Sequence, residues 1–334
     1  VKRGLVVLDP AEVGPDEWRA RVAAVRQTLA SDGIDVALVY GDVFRSDDIA
    51  YLTNLCIYWN EGILAVPAAG DPVFLTKLSP RVHPWMRQVS TVSEIRSGRS
   101  FADLVATFLD GRPAGTVGLV ESALWPAAVE ADITAALAGW QVRRLGGLVR
   151  ERRLVPSAAE LALLERGGRH MATALSKATV DGLSVPERVG IVEWELRSAG
   201  FLDVLVHPAT TTDGVVSLHV TGQYRTGWLQ AGRLAGATDD VLRTALDAAV
   251  AAARPGATTS DLAGGLPDGA TVSWANQADL ATNGEYADHD TPMLAGSVVA
   301  ITVDALYPDG GYAAVAETVL VGAPSTPLTT GSPA

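Results

Sequence analysis

One capping signature divides this chain and limits what each side of it can become. Ser157 is followed three residues later by Glu160, at the head of an Ala- and Leu-rich run that continues to about Val180. A serine side chain on the third helical amide, with a glutamate reaching back to the serine amide, satisfies two orphan donors, so a long helix starts here. Before it, short helical and extended patterns alternate. Residues 17–31 carry apolar side chains at Val22, Val25 and Leu29 and close at Asp32-Gly33, which predicts a helix. Strands are expected at 36–40, 116–120 and 140–145, helices at 101–109 and 127–138, and a hairpin where 62–67 and 72–76 flank the turn sequence AAGD. After it, helices at 187–199 and 237–253 sit among extended segments at 202–208, 215–224, 228–234, 298–307 and 312–321. Arg254-Pro255-Gly256 ends the last of these helices, and Thr258 with Asp261 caps a short further one. The expectation is a mixed α/β (α+β) chain of two domains, residues 1–150 and 151–334.

Composition narrows the classes of function. With 48% hydrophobic and 19% charged residues, 334 residues can bury two sizeable cores. The formal charge is −12 and no basic run stands out, which argues against binding a phosphate backbone. The one cysteine, Cys56, lies in an apolar stretch and has no intrachain partner for a disulfide. The opening VKRGLVVLDP has an apolar run too short for a secretory signal, and no stretch reaches the roughly 18 apolar residues of a membrane span. A cytoplasmic protein binding neither nucleic acid nor membrane is expected.

Five local patterns then occur in order along nearly the whole chain. They are Ile49-Ala50-Tyr51-Leu52-Thr53-Asn54, Arg153 to Glu160, Arg254-Pro255-Gly256, His289-Asp290-Thr291-Pro292 and Glu317 to Val321. Each resembles a motif of the creatinase / aminopeptidase P / prolidase family: I-x-Y-L-T-G, R-x-x-K-S-x-x-E, R-P-G, H-E-x-P and E-D-T-V-L-V. Asn54 stands for the motif glycine and Pro156 for the lysine. The resemblance implies a creatinase-like N-terminal domain and a C-terminal pita-bread domain, a curved antiparallel sheet with covering helices. It also implies a homodimer in which the 58–61 loop lies near the partner's cavity.

Family members with metal use two aspartates, a histidine and two glutamates. The second aspartate lies three residues before an arginine, so Arg233 places it at Gln230, and eleven residues earlier stands His219. The histidine ligand, seven before His289, falls on Thr282. The two glutamates fall on Val303 and Ala316, and a slip of one residue would bring in Asp304 or Glu317. Side chains alternate faces along a strand, so such a slip turns the carboxylate away from the site. Two hard ions about 3.5–4 Å apart need several convergent oxygen ligands. The ligand positions therefore read as degenerate, with no metal and no other cofactor expected.

The residues left for chemistry are three histidines. His207 ends an apolar strand, at a place where the resemblance implies a substrate-contacting histidine. His219 alternates with Leu218 and Val220 and so faces away from them. His289 stands at the H-E-x-P position. An imidazole can give or take a proton near neutral pH; the plainer reading of each is a histidine satisfied in a turn, in vacated space or on a loop. Tyr224, Trp228 and Gln230 are candidates for lining a pocket, as are Arg45 and Trp59 from the N-terminal domain and Asp304 and Glu317 from the last strands. The leading expectation is a metal-independent, creatinase-like enzyme acting on a C–N bond of a small carboxylate-bearing nitrogen compound. Two alternatives stand beside it: a non-catalytic pseudoenzyme binding a small molecule or partner, and an Xaa-Pro metallopeptidase.

Overall fold

The computed structural model describes residues 6–57, 60–211, 213–236, 241–280, 290–307 and 310–330. The chain forms two compact units that meet in sequence between Arg153 and Leu154.

The N-terminal unit is built on a six-stranded mixed sheet. Its elements are α1 (Pro15–Ser31), β1 (Val36–Gly41), α2 (Asp47–Thr53), β2 (Gly62–Pro67), β3 (Val73–Thr76), α3 (His83–Val89), β4 (Glu94–Ser97), α4 (Phe101–Leu109), β5 (Thr116–Val120), α5 (Ala127–Ala136), β6 (Gln141–Leu145) and α6 (Arg150–Arg153). The strand order is β4-β3-β2-β1-β5-β6. The expected hairpin is the β2–β3 pair, with Gly62 opposite Thr76. β1 and β2 are buried along their whole length because both sheet faces are covered. Val25 and Leu29 of α1 pack on one face with Val39 and Leu64, and Leu104 and Phe108 of α4 pack on the other with Leu38 and Ile63. The Ile49–Asn54 motif is α2 and its cap. Asn54 takes the left-handed conformation, φ 63°, that the motif glycine supplies. Asparagine is among the few residues that tolerate it, and here its Nδ2 donates to the carbonyls of Val89 and Val7 at 2.9 and 2.8 Å. Sequence reading left α2, α3 and β4 unassigned; at four to seven residues they are too short for periodicity to declare them.

The C-terminal unit opens with α7 (Ala158–Ala178) and α8 (Val185–Ser198), and the capping box at Ser157 and Glu160 is present. A seven-stranded sheet follows. It consists of β7 (Phe201–Thr210), β8 (Val216–Tyr224), β9 (Gly227–Ala235), β10 (Ala270–Asn276), β11 (Val298–Leu306), β12 (Tyr312–Leu320) and the short β13 (Thr326–Pro327), with α9 (Val241–Ala252) and α10 (Thr259–Leu262) before β10. The order is β10-β11-β12-β9-β8-β7, with β13 on β12, and every pairing is antiparallel. β10 was left unassigned from sequence although it alternates, with Ala270, Val272 and Trp274 on the α9 core and Thr271 and Ser273 between them.

The sheet consists of two three-stranded meanders joined at a seam. β9 and β12 share a single ladder pair, Gly232 with Ala316. On either side, hydroxyls stand in for main-chain bonds. Thr318 Oγ1 accepts from the Gln230 amide at 2.9 Å and donates to the Gln230 carbonyl at 2.7 Å. Ser217 Oγ does the same for Ala314, donating to its carbonyl at 2.8 Å and accepting from its amide at 3.0 Å. The close approach at the seam requires a glycine, since a Cβ on Gly232 would lie 2.7 Å from the Ala316 nitrogen.

Candidate functional site

Strand alternation sorts the C-terminal sheet into two faces. Leu218, Val220, Leu229, Ile301, Val303, Val315 and Val319 point to the helices. Several of them join Leu242, Leu246 and Ala249 of α9 in one core. The opposite face carries His207, His219, Thr221, Gln223, Gln230, Thr302 and Asp304. This polar face is the candidate site.

Its register follows from one turn. β8 and β9 are joined by the two-residue loop Arg225-Thr226, with Tyr224 opposite Gly227 and Arg225 in the left-handed region at φ 57°. A hairpin this tight fixes every pair above it. Thr221 therefore stands opposite Gln230, and His219 opposite Gly232. The side chain facing Gln230 across this hairpin is therefore that of Thr221, nine residues before it, and not that of His219. Val303 is fully buried in the α9 core, and Thr302 faces the site, opposite Ala316.

Gln230 lies at the centre of this arrangement. Its Nε2 donates to Thr221 Oγ1 at 3.1 Å, and its Oε1 accepts from Thr302 Oγ1 at 2.9 Å. With its main chain held by Thr318, a 5% exposed amide is tied down at both ends. Four side chains face one another here, Thr221, Gln230, Thr302 and Ala316, and none carries a charge.

His207 and His219 are direct cross-strand partners. His207 is exposed, whereas His219 is largely enclosed. Among the described residues nothing bonds the His219 Nε2. Burial, and after it the neighbouring His207, pushes the His219 imidazole from 6.5 down to about 4. At neutral pH it is uncharged, with one ring nitrogen awaiting a partner. Gln223 continues the same row, fully buried, and the 2% exposed Asp203 faces it from β7. Sequence reading missed Thr221, Thr302, Gln223 and Asp203. The Arg225-Thr226 turn was the signal that would have found the first.

Other expected site residues lie elsewhere. Tyr224 points to the helix side, packed against the rings of Phe201 and His170 at 5.1 and 5.9 Å and beneath Gly167 of α7. Glu317 also points there. It is 1% exposed and accepts from Arg233 Nη2 at 2.9 Å and from the Thr329 amide at 2.8 Å, a buried ion pair that anchors the end of the chain. Trp228 shares the polar face but is fully buried with Ala275, Leu280 and Ala300, so it packs the sheet. Asp304 Oδ1 accepts from Thr271 Oγ1 at 2.9 Å on the partly exposed end of the same face. Arg45 belongs to the N-terminal unit, where its amide donates to Asp42 Oδ1 at 2.9 Å. Trp59, Thr282 and His289 lie outside the described residues.

The comparisons with known proteins fit this architecture. Residues 21–155 match the Creatinase/Prolidase N-terminal domain family. The match spans most of the N-terminal unit, which is similar to that domain family. Most of the chain shares its fold with solved prolidases. The prolidase from Pyrococcus horikoshii superposes with TM-score 0.74 at 14% identity, covering 94% of this chain and 99% of that one. An X-Pro aminopeptidase from Thermotoga maritima gives 0.74 at 16%, covering 93% and 98%. A dipeptidase from Mycobacterium ulcerans gives 0.70 at 18%, covering 98% of each. No curated protein sequence matches the chain.

Among the described residues, Thr221, Gln230, Thr302 and Ala316 on the polar face bring no carboxylate together. Thr221, Gln230, Thr302 and Ala316 offer two hydroxyls, an amide and a methyl group. The amide and hydroxyls already satisfy one another. Hard cations require convergent carboxylates to offset their charge. Among the described residues no three His, Cys, Asp or Glu side chains are placed to hold an ion. No helix among them is long and apolar enough to cross a membrane.

Proposed function

We propose that this protein works without a bound metal and uses the polar face of its C-terminal sheet to bind a small polar molecule, with His219 as a neutral hydrogen-bonding group. The observation that carries the reading is the Thr221–Gln230–Thr302 chain. A self-satisfied neutral network at the centre of the face leaves no anionic donors for ions and gives the site a rigid, uncharged floor. His219 adds a ring nitrogen with bonding capacity to spare, and a ligand donor or acceptor that meets it removes the penalty of leaving it bare. Elemental analysis of the purified protein tests the core of this reading. Well under one transition-metal ion per chain, and no gain of dipeptidase activity with manganese, cobalt or zinc, are expected. Stoichiometric metal after mild dialysis overturns it.

The cross-strand histidine pair favours a second reading, a metal-independent hydrolase of the creatinase kind acting on a C–N bond of a small carboxylate-bearing nitrogen compound. In it, His219 takes a proton from the attacking water and returns it to the leaving nitrogen as the C–N bond breaks, with His207 beside it on the neighbouring strand. The depressed basicity of His219 makes it a weak base near neutrality, since an effective acid–base group has a pKa close to the working pH. The binding reading therefore leads. Turnover that falls roughly 10²–10⁴-fold on His219→Ala would reverse that order. A homodimer is proposed on family resemblance, and light scattering at micromolar concentration tests it.

A further inference from the structure

The N-terminal unit contains a cleft that plays no part in the reading above. It encloses about 510 Å³ between α1, the end of α2, the Asp71-Pro72 turn and the segment leading into β4. Trp18, Val22 and Arg26 succeed one another at four-residue spacing along α1, so they share one helix face and form one wall. Leu52, Pro72 and Val92 make the remainder largely apolar.

The polar atoms in this wall are donors without acceptors. Nε and Nη2 of Arg26 are buried, and no hydrogen-bond partner reaches either. The same holds for Nε1 of Trp18, in a side chain that is 5% exposed. Asp71 is the only carboxylate in the cleft lining, and its oxygen stands 3.7 Å from Arg26 Nη2, a loose ion pair beyond hydrogen-bond range on a side chain that reaches into solvent. Arg19, the other cation of the lining, is occupied by Asp16. The Trp18 ring is braced from behind. The Arg21 guanidinium lies 4.5 Å from its centroid and 4.5 Å from that of Tyr51, and Arg21 is itself paired with Glu17. The indole is thus held in place, while Arg26, on a side chain 26% exposed, is free to turn its fork into the cleft.

We propose that this cleft is a binding site for a small organic anion, a carboxylate on an apolar or aromatic body. A carboxylate accepts two parallel N–H bonds from a guanidinium fork, which matches the unpartnered edge of Arg26. The Trp18 Nε1 supplies a further donor, and the apolar walls take the body of the ligand. The acidic chain as a whole repels anions, so recognition depends on this local pairing.

Calorimetric titration of the whole protein tests the proposal, with benzoate as probe, benzyl alcohol as its uncharged counterpart and inorganic phosphate as an anion without an apolar body. Saturable benzoate binding is expected, with benzyl alcohol and phosphate each weaker by roughly tenfold or more, the loss that follows when a charge-assisted pair or the apolar contact is missing. Arg26→Met keeps an unbranched apolar stem, removes the guanidinium and should weaken benzoate by a similar factor. Val22→Phe narrows the cleft while leaving the guanidinium in the chain, and should also weaken binding. The absence of saturation up to about 10 mM benzoate overturns the proposal, since even a weak specific site is occupied at that concentration. It is equally overturned if Arg26→Met binds benzoate as the parent does, or if phosphate matches benzoate. All of these readouts concern the N-terminal unit and are independent of metal content or of His219.

Discussion

The Thr302 hydroxyl donates to the Gln230 side-chain carbonyl across 2.9 Å, and so links two strands from opposite meanders of one sheet. The same glutamine amide donates to Thr221 at 3.1 Å. One neutral side chain thus ties three strands together where the fold family implies charge. Gln230→Ala leaves two buried hydroxyls without partners. It should destabilise the protein by about 1–3 kcal/mol, read as a lower urea midpoint with an unchanged slope. An unchanged midpoint would show that the network contributes nothing net.

The strand register predicts which substitutions build a metal site. Thr221→Asp, Gln230→Asp, Thr302→Glu and Ala316→Glu together place four carboxylates on one face, so the combined variant should take up manganese or cobalt in a calorimetric titration. A matched variant with His219→Asp in place of Thr221→Asp, and Val303→Glu in place of Thr302→Glu, should take up neither. Val303→Glu also forces a carboxylate into the α9 core, so that protein should unfold at markedly lower denaturant. Equal metal uptake by the two designs would refute the register.

The depressed basicity of His219 makes stability depend on pH. The unfolded chain takes up a proton at this imidazole near pH 6.5, and the folded chain only near about 4. Between these values the unfolded state binds more protons, so stability is fully present above pH 6.5 and is lost as pH falls towards 4. The contribution has an upper limit of about 3 kcal/mol. His219→Gln removes the titrating group, and its stability should fall less steeply than the parent's across that window. Parallel curves for the two proteins would mean that the imidazole is not buried as described.

Glu317 offers a test of a different kind. It is buried against Arg233, with Arg243 at 3.8 Å and Thr329 on its other oxygen. Glu317→Gln should cost about 3–5 kcal/mol, because guanidinium charge is left buried without its counter-ion. Differential scanning calorimetry reads this as a large fall in Tm. A small loss would assign the anchoring of the chain end to hydrogen bonds alone.

Much of the fold could be read from periodicity and caps. The 101–109 helix and the 116–120 strand occur where apolar spacing sets them, and the Ser157–Glu160 box forms as the sequence implies. The site was less legible because a spacing carried over from resemblance competed with a local turn, and the turn prevailed. Arg225-Thr226 closes the hairpin so that Thr221 stands opposite Gln230 and His219, on the same face, opposite Gly232. On β11 the discrepancy was odd-numbered, so it exchanged faces and moved Val303 into the core. Glu317 and Tyr224 looked suited to a ligand by residue type, yet strand alternation points both at the helices. Nothing in composition marks Asp203 or Gln223, whose positions depend on pairing across β7 and β8.

The seam between β9 and β12 has a consequence for how the C-terminal sheet moves. A ladder of main-chain bonds opens only when several break together, whereas a threonine or serine hydroxyl can exchange its partner for water one bond at a time. The two meanders can therefore breathe against each other along this line without losing their internal pairing. In hydrogen–deuterium exchange, the amides of Gln230 and Ala314, each bonded to a hydroxyl oxygen, should open ahead of their neighbours in β8 and β11. A ligand spanning the polar face would slow both together. The seam would then report occupancy from positions that the ligand does not touch.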